Sequence, residues 1–295
     1  MPDQNASPSP FVSPVEYPPQ RVVSLVPSLT ESLFDLDLGD RLIAITDYCV
    51  HPADKVQLLP RVGGTKNPDI GRIVALQPDL VLLNDEENRR EDADALRAAG
   101  IPIWVTGPRT VFDALNVLWN IMDIFDHPAM VPRVREIERA YDYTVAASRA
   151  IPPVRVCVPI WRDPWMTFNA DTYAHDVVRV CGGQNVFAGR AASDDEPALD
   201  DGPRLVGHRY PRISLDEVIE AQPDVVLLPS EPYAFSEADA HLFRQLDIPA
   251  ARAGRILLID GTLLTWHGTR VAYALRDLPP LLMGEQDDDR AGDPS

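Results

Sequence analysis

One stretch of this chain is written twice. Arg72-Ile-Val-Ala-Leu-Gln-Pro-Asp-Leu-Val-Leu-Leu-Asn-Asp-Glu-Glu87 returns as Glu217-Val-Ile-Glu-Ala-Gln-Pro-Asp-Val-Val-Leu-Leu-Pro-Ser-Glu231. Gln77-Pro78-Asp79 aligns with Gln222-Pro223-Asp224 at an offset of 145 residues, with no gap between Arg72 and Glu86. Each copy reads as a helix end, a Pro-Asp turn and an apolar run of strand length that stops at a polar loop. Beyond the loop, Ala99-Gly-Ile-Pro102 is echoed by Leu246-Asp-Ile-Pro249. Such doubling predicts an α/β protein of two similar lobes. Continuous apolar strands alternating with helices give each lobe a central parallel sheet flanked by helices. A length of 295 residues accommodates two domains of about 150 each.

Taken in order, residues 1–20 are rich in Pro and Ser and read as a disordered N-terminal segment. Residues 21–109 form the N-terminal lobe, with strands at Arg21–Val26, Leu42–Thr46, the first repeat run and Ile101–Thr106. Ser28-Leu-Thr-Glu31 predicts a capping box opening the helix after the first strand. That helix start is also a candidate seat for an anionic ligand group. Residues 110–150 form a helical linker of two helices, Asp113–Phe125 and Met130–Arg149. The second would reach about 30 Å at 1.5 Å per residue and is read as the long rigid connection between lobes. Residues 151–283 form the C-terminal lobe, beginning with the strand Val154–Ile160. Within it Asp171 or Thr172 caps a helix that Cys181-Gly-Gly183 stops, a Pro- and Asp-rich excursion covers 190–212, and Ser214-Leu-Asp-Glu217 is a second capping box. A strand at Arg255–Asp260 and a helix from Thr269 to Leu278 close the lobe, and 284–295 is read as a disordered acidic tail.

The formal charge of −18 argues against nucleic acid or an anionic membrane as partner. No apolar run approaches the roughly 20 residues that span a bilayer. The N-terminus has neither the basic start nor the apolar core of a secretory signal, so the chain as written reads as cytoplasmic. If a leader precedes this start, the place is periplasmic or extracellular. Cys49, Cys157 and Cys181 make neither a disulfide framework nor a metal finger. Pro60-Arg-Val-Gly-Gly-Thr-Lys-Asn67 lacks phosphate-loop spacing, and neither a His-Glu-x-x-His pair nor a nucleophile elbow occurs.

Parallel sheets bind ligands at the carboxyl ends of their strands, and two lobes leave a cleft between those ends. The repeat gives Glu86 and Glu231 equivalent positions, one per lobe. Loops after the other strands add Tyr48, Arg109, Trp161, Arg162, Trp165, Tyr233, Trp266 and His267. This set suits a large, flat, partly apolar ligand carrying a few charged groups. Arg109 and Arg162 suit bidentate capture of a carboxylate or phosphate. Other readings stand beside this one. Trp161 and Trp165 would serve as core, Glu86 and Glu231 as catalytic carboxylates or metal ligands, and His267 and Tyr48 as ligands to iron or cobalt.

The chain resembles the helical-backbone metal receptor superfamily, a class III periplasmic-binding-protein-like group. It includes the substrate-binding proteins of ABC importers for cobalamin, haem and ferric siderophores. The residues that carry the resemblance are Arg21-Val-Val-Ser-Leu-Val-Pro-Ser-Leu-Thr-Glu31, Ile73-Val-Ala-Leu-Gln-Pro-Asp-Leu-Val81, Val180-Cys-Gly-Gly-Gln-Asn-Val186 and the second Gln222-Pro-Asp224. The first and third motifs bring it nearest the cobalamin-binding branch. The resemblance implies two α/β lobes, a rigid linker helix, ligand held between the lobes and no catalysis. It implies no intrinsic cofactor, since a bound corrinoid or haem would be the ligand. Glu86, Asn88, Glu231 and Tyr233 would make polar contacts, with Trp161, Trp165 and Trp266 as apolar walls. It implies an ABC transporter permease as partner, docked through an acidic residue on each lobe. The matching positions are Gly71 in the first lobe, with Asp69 close by, and Asp216 beside Glu217 in the second. The alternative is an intracellular metal-handling or chelatase-like enzyme using Glu86, Glu231 and His267.

Overall fold

In the computed structural model, residues 18–191 and 208–284 are described. Nearly all of the expected disordered start, most of the 190–212 excursion and nearly all of the acidic tail therefore lie outside the described residues. The chain forms two compact units. The first holds the described residues through Pro108, with Phe112–Ile137 and His267–Arg270; the second holds Arg109–Val111, Glu138–Trp266 and the residues from Val271 onward.

The first unit is built on strands β1 (Val22–Ser24), β2 (Leu42–Ile45), β3 (Leu80–Asn84) and β4 (Ile103–Thr106). They make an all-parallel sheet in the order β2-β1-β3-β4. The second unit repeats this with β5 (Val154–Cys157), β6 (Gly183–Asn185), β7 (Val225–Pro229) and β8 (Ile256–Ile259), parallel in the order β6-β5-β7-β8. Every residue of β3 and of β7 is buried, as befits strands covered on both faces. Positions 145 apart do the same work: Ile73 and Val218, Val81 and Val226, and Leu83 and Leu228 all sit in the two cores.

The repeated Gln-Pro-Asp is a bracket. Gln77 and Gln222 end their helices in the left-handed region, at φ 47° and 43°. The Asp79 carboxylate then accepts the backbone N–H groups of Gln20 (2.7 Å) and Arg21 (2.9 Å), just before β1. Asp224 accepts that of Arg155 in β5 at 3.0 Å. In return the Arg21 guanidinium donates to the carbonyls of Leu76 (2.7 Å) and Gln77 (3.3 Å), and Arg155 donates to those of Ala221 (2.5 Å) and Gln222 (3.3 Å). An arginine caps the open carbonyls of a helix end while an aspartate ties the next turn to the strand alongside.

Several local expectations change. The helix after β1 begins at Pro27 with Val26 as its cap, and no side chain caps it. The Glu31 carboxylate is instead bound by the Arg270 guanidinium, so the Ser28–Glu31 capping box does not form. The stop expected at Cys181-Gly-Gly183 is followed at once by β6, three residues without strand composition that exist as a strand by pairing with β5. The last helix continues past Leu278 to Met283, because Arg255 donates to the carbonyls of Leu281 (2.8 Å) and Leu282 (2.6 Å) at its end. The Ser214–Glu217 capping box and the Thr172 cap form as expected.

Candidate functional site

In the first unit the loop after β3 is organised by amides. Asn84 Oδ1 accepts the backbone N–H groups of Glu86 (2.8 Å) and Glu87 (3.3 Å). Asn88 Oδ1 accepts the Asn84 N–H at 2.8 Å, and its Nδ2 donates to the carbonyls of Leu25 (3.2 Å) and Thr65 (3.0 Å). Asn88 is thus buried in a backbone network that joins the end of β1, the 60s loop and the loop after β3. Glu86 is half-buried on that frame. Its carbonyl accepts a hydrogen bond from Lys66 Nζ at 2.5 Å. Burial draws the Lys66 pKa below its ordinary value, against the opposing pull of Glu87 and Glu86.

His267 reaches this network from the far end of the chain. The Asn84 amide donates to its Nε2 at 3.2 Å, since Asn84 Oδ1 is already taken by backbone N–H groups. The imidazole is buried, which pushes its pKa down to about 4, so it is neutral near pH 7. The neighbouring Gly268 stands at φ 74°, and a Cβ there would lie 2.1 Å from Ser32 Oγ. Thr269 N donates to Ser32 Oγ (3.0 Å) and Arg270 grips Glu31 with two bonds of 2.9 and 2.5 Å. The segment His267–Arg270 is therefore a structural part of the first unit. Tyr48, in the loop after β2, is 62% exposed, and its ring lies against Gly64.

In the second unit the equivalent edge is organised by rings. Trp161 meets Tyr233 edge-on with centroids 5.7 Å apart, and Tyr233 meets Phe235 at 4.7 Å. Trp165 stacks on Phe235 at 6.0 Å and meets Phe243 at 5.2 Å. Arg162 donates to the buried Asp239 carboxylate at 2.5 Å, and its guanidinium lies 5.6 Å from the Trp165 ring centroid. Asp239 in turn holds the N–H and hydroxyl of Ser236 at 2.8 and 2.7 Å. The Glu231 carboxylate accepts a hydrogen bond from the Thr265 hydroxyl. Trp266 is 7% exposed, and its carbonyl accepts from Tyr173 Oη at 3.3 Å. Arg109 is half-buried and groups with this unit.

The structure thus joins Glu86, Asn88 and His267 through Asn84, and joins Trp161, Arg162, Trp165 and Tyr233 through Phe235 and Asp239. Asn84, Phe235, Asp239 and Thr265 were not singled out from the sequence, and Lys66 was weighed there only as a phosphate-loop lysine and set aside. Asn84 was legible as the polar residue closing an apolar strand; the others are recognisable only by their contacts. Asp216 is exposed in the first turn of the helix Leu215–Ala221. Glu217 closes the capping box there and pairs with Arg190 at 3.0 Å. At the first-unit counterpart, Gly71 is exposed and Asp69 is the helix cap, accepting from the Arg72 N–H at 2.9 Å. Among the described residues no three His, Cys, Asp or Glu side chains group as metal ligands, and no helix is long and apolar enough to cross a membrane.

A profile of the Periplasmic binding protein family matches residues 22–261. The vitamin B12-binding protein of Vibrio parahaemolyticus serotype O3:K6 is 27% identical over 240 residues, which is 81% of this chain and 80% of that protein. The vitamin B12-binding protein of Yersinia pestis (strain Pestoides F) is 27% identical over 231 residues, 78% of this chain and 76% of that one. Among solved structures, the periplasmic vitamin B12 binding protein of Vibrio cholerae has a TM-score of 0.75 at 22% identity, covering 92% of this chain and 99% of that chain. The apo periplasmic heme-binding protein of Roseiflexus sp. RS-1 has a TM-score of 0.73 at 23% identity, covering 90% and 98%. At those identities the structural matches establish the fold. The chain belongs to the Periplasmic binding protein family.

Proposed function

We propose that this member of the Periplasmic binding protein family binds a metal chelate without turning it over, a corrinoid before haem or a ferric siderophore. The observation that carries the reading is the alignment with vitamin B12-binding proteins over about four fifths of both chains. The geometry supports it at both carboxyl edges. In the second unit, partly buried Trp161, Trp165 and Tyr233 offer apolar faces beside Glu231. In the first, the exposed Tyr48 ring and half-buried Glu86 stand on a rigid backbone frame. Rings with a few fixed polar groups are the lining that large, flat, mostly apolar ligands select. In this reading Tyr48, Glu86, Glu231 and Tyr233 contact ligand, and Trp161 and Trp165 form its walls. Asn88, Arg162, Trp266 and His267 hold the edges in shape, and Arg109 is kept as a contact for an acidic ligand group.

We further infer that this chain works outside the cytoplasm, which its similarity to a periplasmic vitamin B12 binding protein and a periplasmic heme-binding protein supports, and that it delivers ligand to an ABC transporter permease. Exposed Asp216 would be the docking acid, with no acid at Gly71. The test is a thermal-shift titration of the full chain with cyanocobalamin, haemin and a ferric siderophore. A bound ligand at a hundred times its Kd adds about 2.7 kcal/mol and raises Tm. An unmoved Tm with all three at saturating concentration defeats the proposal.

A further inference from the structure

We propose that Lys66 selects the ligand by an acidic substituent: its ammonium receives a carboxylate or phosphate carried on the chelate's edge. The inference rests on the chelate-binding reading. An ammonium has three donors. Among the described residues the Lys66 ammonium has one hydrogen-bond acceptor, the Glu86 carbonyl at 2.5 Å, and no ion-pair partner. It is half-buried, so water does not fully replace the missing acceptors. Glu86 and Glu87 lie near enough to favour its charge, yet burial outweighs them and the group is held less basic than a free lysine. Lys66 is one of only two lysines among the 27 basic residues of the chain.

The ammonium is also pre-positioned. Asn88 Nδ2 holds the Thr65 carbonyl at 3.0 Å, which fixes the backbone one residue before it. Two residues earlier is Gly64, against which the exposed Tyr48 ring lies. The first unit therefore presents an open aromatic face and, close in sequence on the same loop, a cation short of acceptors. The complement is a flat, largely apolar body with an acid group at its rim. The neighbouring Glu86 and Glu87 carboxylates oppose a bare anion, so simple phosphate or acetate binds poorly and the ligand body must bring the acid in. This is selection more than affinity.

The experiment titrates the full chain, wild type, Lys66→Met and Lys66→Arg, with three chelates. These are cyanocobalamin, which carries a phosphate; haemin, which carries carboxylates; and dicyanocobinamide, a corrinoid without the nucleotide phosphate. Lys66→Met is expected to weaken an acid-bearing chelate about tenfold or more and dicyanocobinamide less than about twofold, with Lys66→Arg restoring most of the loss. Loss confined to cyanocobalamin identifies a phosphate, and loss confined to haemin identifies carboxylates; either upholds the proposal. Equal weakening of every chelate means Lys66 only anchors the Glu86 loop, and no weakening means it does not meet the ligand; both overturn it while leaving chelate binding intact. A wild-type chain that binds none of the three overturns this proposal, and the chelate reading falls with it when the ferric siderophore also leaves Tm unmoved.

Discussion

After β3, the first unit gathers its loop around two amides, Asn84 and Asn88, that bind backbone on every side. After β7, the second unit has Pro229 and Tyr233 at the corresponding positions and gathers its loop around rings, with Tyr233 and Phe235 packed on Trp161 and Trp165. Beneath both loops lies the same bracket of Arg21, Gln77 and Asp79 in one case and Arg155, Gln222 and Asp224 in the other. The repeated letters are the ones that hold helix to strand. The letters that differ lie in the loops past the strand ends, where the ladder of the sheet no longer dictates the residue.

That contrast can be broken experimentally, and the largest effect belongs to a contact with no counterpart in the repeat. Arg270→Met leaves the Glu31 carboxylate buried without its bidentate partner. Losing one member of a buried pair typically costs about 3–5 kcal/mol, readable by urea unfolding. A loss no larger than that of an exposed pair would show that the return segment does not hold the first unit.

Next comes pH. The folded-state pKa of His267, about 4, lies below its ordinary value, so the unfolded chain binds the proton first as pH falls. The stability associated with the neutral ring is complete above about pH 6.5 and is lost on going down towards pH 4, by up to about 3 kcal/mol. The stability of the wild type minus that of His267→Gln should shrink by that amount between pH 7 and pH 4. A constant difference would place the ring in contact with water.

The bracket itself gives a matched pair. Asp79→Ala and Asp224→Ala should each cost about 1–2 kcal/mol, the former more, because Asp79 holds two backbone N–H groups and Asp224 one. Losses that differ severalfold would mean the two brackets are alike in sequence only. The smallest effect separates the two left-handed glutamines. Gln77→Gly should gain about 0.5–1 kcal/mol by removing a strained Cβ. Gln222→Gly should gain less, because the Gln222 amide also donates to the carbonyls of Ile219 (2.7 Å) and Asp247 (2.9 Å).

Much of this architecture was legible in the residues. The two apolar runs at 80–84 and 225–229 announced buried parallel strands, and the offset of 145 announced that the sheets would be alike. Helix caps at Thr172 and Ser214 were readable because a cap involves residues only three apart. The weak strand β6 was not, since its residues carry no strand preference and are held by β5 alone.

The candidate site was legible as a set of loops but not as a set of partners. Glu86, Glu231 and Tyr233 follow from where strands end. That Arg162 is engaged by Asp239, 77 residues away, follows from nothing local. His267 looked like a polar-loop histidine, yet it is buried on Asn84 from 183 residues away, and Arg270 finds Glu31 across 239. Sequence by itself determined the doubled sheet, because strand burial, turn chemistry and helix capping are short-range preferences written into consecutive residues. Only the tertiary structure decided which charges and amides are paired, because a buried polar group accepts whichever partner the packed chain brings within about 3 Å, however distant in sequence.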